Sequence, residues 1–180
     1  MGASRINKNH RFGLKAGLFW PILWKWGLVL AFLLLPLPAM AAEELWQGRV
    51  VFVQDGDSLK IKIKDTIEIV RLKGIDAPEK GQPFAEDAAQ FVRKRVQGKK
   101  VTLEVFGRDR YNRVLAEVFL MGGRSLNREL VHEGWAWQHI YFSKDPELKQ
   151  LQDAARLKKR GLWADDYPVA PWDWKRRGRK

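Results

Sequence analysis

Closely spaced strand patterns near the middle of the chain constrain the fold most strongly. Apolar and basic residues alternate strictly over residues 59–64, the pattern of a half-buried strand with its lysines toward water. A β-branched run at 49–53 precedes this segment, and another at 67–72 follows it after a two-residue turn. Three strands in such close succession predict an antiparallel meander.

The remaining pattern adds three helices and two strands. Apolar residues recur at helical spacing over 84–96, and strand patterns follow at 101–105 and 114–120. Ser125 and Asp145 are suited to capping the two closing helices. We therefore predict an α+β domain with three helices, in which the strands form a five-stranded OB-fold barrel. Closure of the barrel removes the exposed sheet edges.

Composition excludes several classes of protein. The 180 residues have room for one real core but not for two large domains. The absence of cysteine excludes a disulfide scaffold and a thiolate metal site. The formal net charge of +12 is concentrated at the chain ends, which favours nucleic acid or an anionic membrane as a partner. A solvated tail that aids solubility is an equal alternative.

The first 41 residues are organised as an export signal. Basic residues and no acidic residue accompany an apolar run at 26–35, and an Ala-Met-Ala cleavage pattern ends at Ala41. We expect a signal peptide over 1–41 and a protein that is periplasmic or secreted. The alternative is an uncleaved anchor in the inner membrane, because the apolar stretch from residue 17 is long enough to span with Lys25 as its only charge.

The rest of the chain divides into a domain at 42–165 and a tail at 166–180. The tail contains two prolines and a basic run but no periodicity, so we expect it to be mostly disordered. We expect the protein to be a monomer.

Two carboxylates are brought together by the predicted meander. Asp57 begins the second strand and Asp76 follows the third, so the two side chains come within reach of each other. Two carboxylates and a backbone carbonyl suit a hard cation, Ca²⁺ or Mg²⁺. An ordinary Asp-Gly-Asp turn is the simpler explanation of Asp57. Zinc is not expected, because the histidines lack metal-ligand spacing.

Arginine and glutamate near these carboxylates would suit a phosphodiester. Arg71 and Arg113 carry permanent charges and forked donors that match phosphate. Glu79, just beyond Asp76, is placed to take a proton from a water beside a metal. Taken singly, Arg71 is better explained by an interior salt bridge and Arg113 by a loop charge, and only the combination of charged clusters favours a site.

Three separated motifs resemble those of the staphylococcal nuclease family, in order and in spacing. They are VQDGDS at 53–58, RLKGIDAPE at 71–79 and DRYNR at 109–113. The resemblance covers nearly the whole chain after the export segment. It implies an OB-fold barrel with three helices and a Ca²⁺-dependent phosphodiesterase that acts on DNA and RNA and leaves 3′-phosphate ends.

The resemblance also implies a role for the residues that would act on the substrate. Glu79 would be the general base for the attacking water. Arg71 and Arg113 would stabilise the pentacoordinate phosphorus, and Arg113 would also assist the leaving 5′ oxygen. Arg110 and Tyr111 would contact a phosphate of the substrate.

Calcium would be held, by the same resemblance, by Asp57, Asp76 and the backbone carbonyl of Ala77. The type member of the family has threonine at the position of Ala77, so a hydroxyl is lost while the carbonyl stays. Its two nucleotide-stacking tyrosines fall on Ile140 and Phe142. These departures concern substrate grip more than the chemistry.

Two other functions stay open beside an exported, calcium-dependent, sugar-non-specific nuclease. A non-catalytic OB-fold module of the cell envelope would bind nucleic acid through groove charge and stacking, but it has no use for carboxylates facing a phosphate. An envelope protein could associate with a membrane through its apolar N-terminal segment and basic tail, which leaves the internal motifs unexplained.

Overall fold

The computed structural model describes residues 44–178. The signal peptide expected at 1–41 and its cleavage after Ala41 lie outside the described residues. Among the helices of residues 44–178, none has the length and apolar character needed to cross a membrane.

Residues 44–178 contain seven strands, and five of them close into a barrel in the order β1-β2-β3-β6-β5. The strands are β1 (Glu44–Val53), β2 (Ser58–Ile63), β3 (Thr66–Leu72), β4 (Ile75–Asp76), β5 (Lys100–Arg108), β6 (Val114–Phe119) and β7 (Trp137–Gln138). Strands β1 to β3 form the predicted antiparallel meander. The barrel closes where β3 pairs in parallel with β6, Val70 lying opposite Val114. The predicted five-stranded barrel is confirmed.

Helices lie between and after the strands. They are α1 (Ala85–Val96), α2 (Leu126–His132), α3 (Pro146–Leu157) and α4 (Pro171–Arg177), with a 3₁₀ turn at Gly161–Ala164. The predicted caps are present: Ser125 Oγ accepts a 3.1 Å hydrogen bond from the Arg128 amide, and Asp145 Oδ1 accepts one of 2.8 Å from the Glu147 amide. The prediction of three helices holds for α1 to α3, and α4 is additional.

The core fills the barrel with branched aliphatic side chains. Leu59 and Ile61 of β2 are fully buried, whereas the alternate residues Lys60 and Lys62 are half-buried and exposed respectively, as the alternation predicts. Helix α1 packs Val92 against the same core. Each such side chain stabilises the fold by about 1.5–3 kcal/mol relative to an exposed position. The barrel is therefore a rigid support for the loops at its end.

The C-terminal segment differs from the prediction of a mostly disordered tail over 166–180, because residues 171–177 form helix α4. The ring of Trp172 packs edge-on against Trp137, with 5.8 Å between the ring centroids. Trp137 packs in the same way against Trp163, with 4.3 Å between the centroids. Pro171 stands in the first turn of the helix, where proline is well tolerated. The segment is ordered by aromatic burial against distant residues, which the periodicity of a seven-residue helix does not reveal.

Candidate active site

Arg71 bridges two buried carboxylates at the end of the barrel. Its Nη1 contacts Oδ1 of Asp57 and its Nη2 contacts Oδ1 of Asp76. Asp57 is 5% exposed and Asp76 is 1% exposed. The register of β2 and β3 places Ser58 opposite Arg71, which puts Asp57 beside the end of β3. The structure thus brings Asp57 and Asp76 together, as the meander predicted, and places the guanidinium of Arg71 in contact with both.

Both carboxylate oxygens of Asp57 are fixed by neighbours. Oδ2 accepts a 2.6 Å hydrogen bond from the Ala77 amide, and Oδ1 accepts one of 3.2 Å from Ser58 Oγ. The turn before Asp57 approaches the same loop closely: a Cβ on Gly56 would lie 2.6 Å from the Cβ of Ala77. Glycine is therefore needed at position 56 because the neighbouring loop leaves no room for a Cβ.

Arg113 is held by a carboxylate in its own loop. Its Nε donates a 2.7 Å hydrogen bond to Oδ2 of Asp109, whose Oδ1 accepts from the amides of Tyr111 and Arg113. Burial alone would raise the pKa of Asp109, but these hydrogen bonds hold it below its usual value. Asp109 belongs to the third sequence motif, but nothing in that motif indicated that it would hold Arg113.

The charges of Arg71 and Arg113 act on one carboxylate, Asp55. Burial raises the pKa of Asp55, and the positive charge of Arg71, with a smaller contribution from Arg113, opposes the rise. The pairing of β3 with β6 also brings the two arginines close. Val70 lies opposite Val114, and Arg71 and Arg113 are their respective neighbours in the chain. The two arginines therefore lie at the same end of the barrel.

Arg110 and Tyr111 form an exposed rim beside Arg113. The Tyr111 ring is largely exposed, and the guanidinium of Arg110 lies 4.8 Å from its centroid. Arg113 lies 5.6 Å from the same centroid. This placement leaves both Arg110 and Tyr111 accessible to an extended polyanion.

Glu79 follows β4 in a loop and meets a cation that the sequence did not indicate. Its Oε1 lies 2.7 Å from Nζ of Lys175 on α4, and the same ammonium lies 4.0 Å from Oδ1 of Asp76. The Glu79 amide donates a 3.0 Å hydrogen bond to Oε1 of Gln82. Lys175 belongs to the basic run of the tail, and the sequence pattern did not predict that this run would contribute a residue to the site.

Aromatic rings border the site on the side of β7. His139 lies between Phe142 and Trp172, with ring centroids 4.5 and 5.3 Å away, and Tyr141 lies 6.0 Å away. Burial lowers the pKa of His139, against the opposing charge of Asp76. Tyr141 and Phe142 are exposed, so both can stack on a ligand, whereas His139 packs within the cluster.

The donor chemistry of the carboxylates fits a hard cation. Within residues 44–178, no group of three or more His, Cys, Asp or Glu side chains forms a ready metal site. Asp57 and Asp76 with the Ala77 carbonyl offer oxygen ligands, which Ca²⁺ accepts together with several waters. Among the described residues, two cations, Arg71 and Lys175, contact the three carboxylates of Asp57, Asp76 and Glu79, and this leaves excess negative charge for a metal.

Comparison with known proteins assigns the family. Residues 69–165, more than half of the chain, match the family model described as Staphylococcal nuclease homologue. An "uncharacterized endonuclease" of Escherichia coli is 42% identical over 130 residues, which cover 72% of this chain and 85% of the relative. A similarly named protein of Haemophilus influenzae is 42% identical over 129 residues, covering 71% of this chain and 72% of the relative.

A relative with a more specific name also matches. The protein named micrococcal nuclease in Shigella flexneri is 33% identical over 154 residues, which cover 80% of this chain and 87% of the relative. The three sequence motifs, the closed barrel and these matches agree. The chain belongs to the staphylococcal nuclease family.

Proposed function

We propose that this protein is a calcium-dependent, sugar-non-specific nuclease that hydrolyses phosphodiester bonds of DNA and RNA and leaves 3′-phosphate ends. The observation that carries the proposal is the contact of Arg71 with two buried carboxylates, Asp57 and Asp76. Asp76 lies three residues before Glu79, the candidate base. Membership of the family supports nuclease activity, and the matched relatives include proteins named endonuclease and micrococcal nuclease.

Asp57, Asp76 and the carbonyl of Ala77 would hold the calcium ion. When bound, the ion would supply positive charge to the phosphate oxygens and polarise the phosphorus centre. The rigidity of Asp57, whose oxygens are fixed by Ser58 and Ala77, suits a ligand that must keep its position.

Glu79 would accept a proton from the attacking water while the water oxygen forms its bond to phosphorus. The bond from phosphorus to the 5′ oxygen breaks, and the leaving oxygen takes up a proton, so the phosphate remains on the 3′ side. Glu79 is 35% exposed, which leaves its carboxylate accessible to water. The position of the Glu79 carboxylate relative to the attacking water depends on the conformation of its loop.

Arg71 and Arg113 would stabilise the charge that grows on the phosphate oxygens. Guanidinium has five N–H donors, and the contacts of Arg71 with Asp57 and Asp76 leave further donors for a phosphate. Arg113 is oriented by Asp109 and would also donate to the leaving 5′ oxygen. Nucleic acid beyond the cleaved bond would contact Arg110 and Tyr111 and stack on the exposed aromatic rings.

We further propose that the chain is exported and acts as a monomer in the periplasm or outside the cell. The supporting feature is the sequence pattern over 1–41, with an inner-membrane anchor as the alternative. N-terminal sequencing of protein recovered from cell fractions distinguishes the two. A chain that begins at residue 42 in a soluble fraction indicates cleavage, and an intact chain in the membrane fraction indicates an anchor.

The proposed activity is tested by digestion of single-stranded DNA and of RNA with the full chain, across a calcium series and with excess chelator. Both polymers should be cleaved, and only when calcium is present. Polymerase extension of the products should require prior removal of a 3′-phosphate. Undiminished digestion in excess chelator would contradict calcium dependence, and directly extendable 3′ ends would contradict the proposed point of cleavage.

A further inference from the structure

The C-terminal segment, residues 166–178, lies beyond the part of the chain that matches the family model, which ends at residue 165. It nevertheless contacts the loop of the candidate base. Lys175 Nζ lies 2.7 Å from Oε1 of Glu79, at the distance of a charge-assisted hydrogen bond. The same ammonium lies 4.0 Å from Asp76, which is 1% exposed. A cation from outside the matched region thus stands between two carboxylates of the proposed site.

A second contact joins the C-terminal segment to the backbone of the same loop. The buried side chain of Gln82 donates a 2.7 Å hydrogen bond from Nε2 to the carbonyl of Val169. Its Oε1 accepts a 3.0 Å hydrogen bond from the Glu79 amide. Glu79 is therefore tied to the segment twice, through its carboxylate and through its amide by way of Gln82.

Helix α4 is fixed firmly enough to set the place of Lys175. Trp172, one turn earlier, packs at 5.8 Å from Trp137 and at 5.3 Å from His139. Residues three apart share a face of a helix, so this packing directs Lys175 toward the site. The ion pair itself is partly exposed, Lys175 being 43% exposed, and such pairs contribute little to stability. Its effect is expected on geometry.

We infer that the C-terminal segment is part of the nuclease site and that Lys175 is a positioning residue for Glu79. Three carboxylates in one site repel each other, and Glu79 is carried on a loop that can yield to that repulsion. The Lys175 ammonium attracts Glu79 and Asp76 together and holds the Glu79 carboxylate where it meets the attacking water. This inference rests on the proposed role of Glu79 as the base.

Three variants of the full chain test the inference: Lys175→Met, which removes the charge, Lys175→Arg, which keeps it, and Arg176→Met as the control. Arg176 is the adjacent exposed cation and pairs with Asp173. Cleavage of single-stranded DNA is measured at saturating calcium, with kcat and KM determined separately and the melting temperature recorded for each variant.

Lys175→Met should lower kcat about tenfold, because a misplaced catalytic group is costly. Its KM should stay within about twofold of wild type, because substrate binding is not what is lost. Lys175→Arg should recover most of kcat, Arg176→Met should match wild type, and the melting temperatures should agree. If Lys175→Met does not fold, Lys175→Arg still tests the inference, because a folded Lys175→Arg that lost most of its kcat would contradict a role carried by the positive charge.

Several outcomes would overturn the inference. An unchanged kcat in Lys175→Met would show that the ion pair does not matter for catalysis. A raised kcat would make the ammonium an inhibitor that competes with the metal or the water. A rise in KM alone would make it a phosphate contact, and an equal loss in Arg176→Met would indicate a general charge effect. An inactive wild type would instead refute the proposed function.

Discussion

Nε of Arg113 donates a 2.7 Å hydrogen bond to Oδ2 of Asp109, four residues earlier in the same loop. The other oxygen of Asp109 accepts hydrogen bonds from two backbone amides of the loop. One carboxylate therefore shapes the loop and orients the arginine that it delivers. The placement of Arg113 depends on a residue that need not touch the substrate.

Substitution Asp109→Ala should lower activity through Arg113. Without the carboxylate the guanidinium loses its fixed direction, and kcat/KM for single-stranded DNA should fall about tenfold. The matched control is Asp153→Ala, which removes an exposed carboxylate paired with Lys149 on α3. That control should leave kcat/KM unchanged. Equal activity of the two variants would refute the orienting role of Asp109.

The Asp109 carboxylate should also make stability depend on pH. Hydrogen bonds hold its pKa in the folded state below the usual value of 3.8. A carboxylate with a lowered pKa stabilises the fold at every pH above its pKa in the unfolded state. This stabilisation is lost as the pH falls through its pKa in the folded state. The free energy of unfolding of wild type should exceed that of Asp109→Asn at neutral pH.

Urea denaturation of wild type and Asp109→Asn, repeated from neutral pH down into the acid range, measures this contribution. The part of the difference that comes from the charged carboxylate should vanish once the residue is protonated in both states. A difference that stays constant across the series would show that the charge of Asp109 contributes nothing.

Removal of Arg71 should destabilise the fold and make it more responsive to calcium. Arg71→Ala leaves the buried carboxylates of Asp57 and Asp76 without their shared cation, at a cost of about 3–5 kcal/mol. A cation that binds the folded state restores stability, so added calcium should raise the melting temperature of Arg71→Ala more than that of wild type.

The control for this experiment is Arg93→Ala, which breaks a pair with the exposed Glu86 on α1. Exposed pairs contribute about 0–1 kcal/mol, so its melting temperature and calcium response should match wild type. Calcium that leaves the melting temperatures of all three proteins unchanged would argue against Asp57 and Asp76 as ligands.

Gly56 should tolerate no side chain, because the loop of Ala77 lies against it. A Cβ at position 56 would lie 2.6 Å from the Cβ of Ala77 and 2.9 Å from that of Ala88. Gly56→Ala should lower the free energy of unfolding by about 1–3 kcal/mol. Gly178→Ala is the control, since its nearest neighbour lies at 3.9 Å. Equal urea midpoints for the two variants would contradict the close approach.

Local sequence patterns predicted the parts of the molecule that depend on neighbouring residues. The alternation over 59–64 predicted β2, and the polar residues Ser125 and Asp145 predicted where α2 and α3 begin. The proximity of Asp57 and Asp76 followed from strand succession, because a meander returns the chain to the same edge. These features need no knowledge of distant packing.

Features that depend on distant packing could not be predicted in this way. Helix α4 has seven residues, and its order comes from the contact of Trp172 with Trp137, which is 35 positions earlier in the chain. Lys175 reaches Glu79 because this contact, together with the packing of Trp172 on His139, holds the helix in place. The anchoring of Arg113 was missed for another reason: Asp109 carries ordinary turn chemistry, which does not reveal the side chain that it will bind.

Single-turnover cleavage of single-stranded DNA at saturating calcium, compared between wild type and Glu79→Gln, tests the central claim most directly. Glutamine keeps the shape of the side chain but cannot accept the proton, so the rate should fall by about 10²–10⁴-fold. The rise in melting temperature on adding calcium should persist, because Glu79 is not a proposed ligand. Cleavage by Glu79→Gln at the wild-type rate would contradict the account.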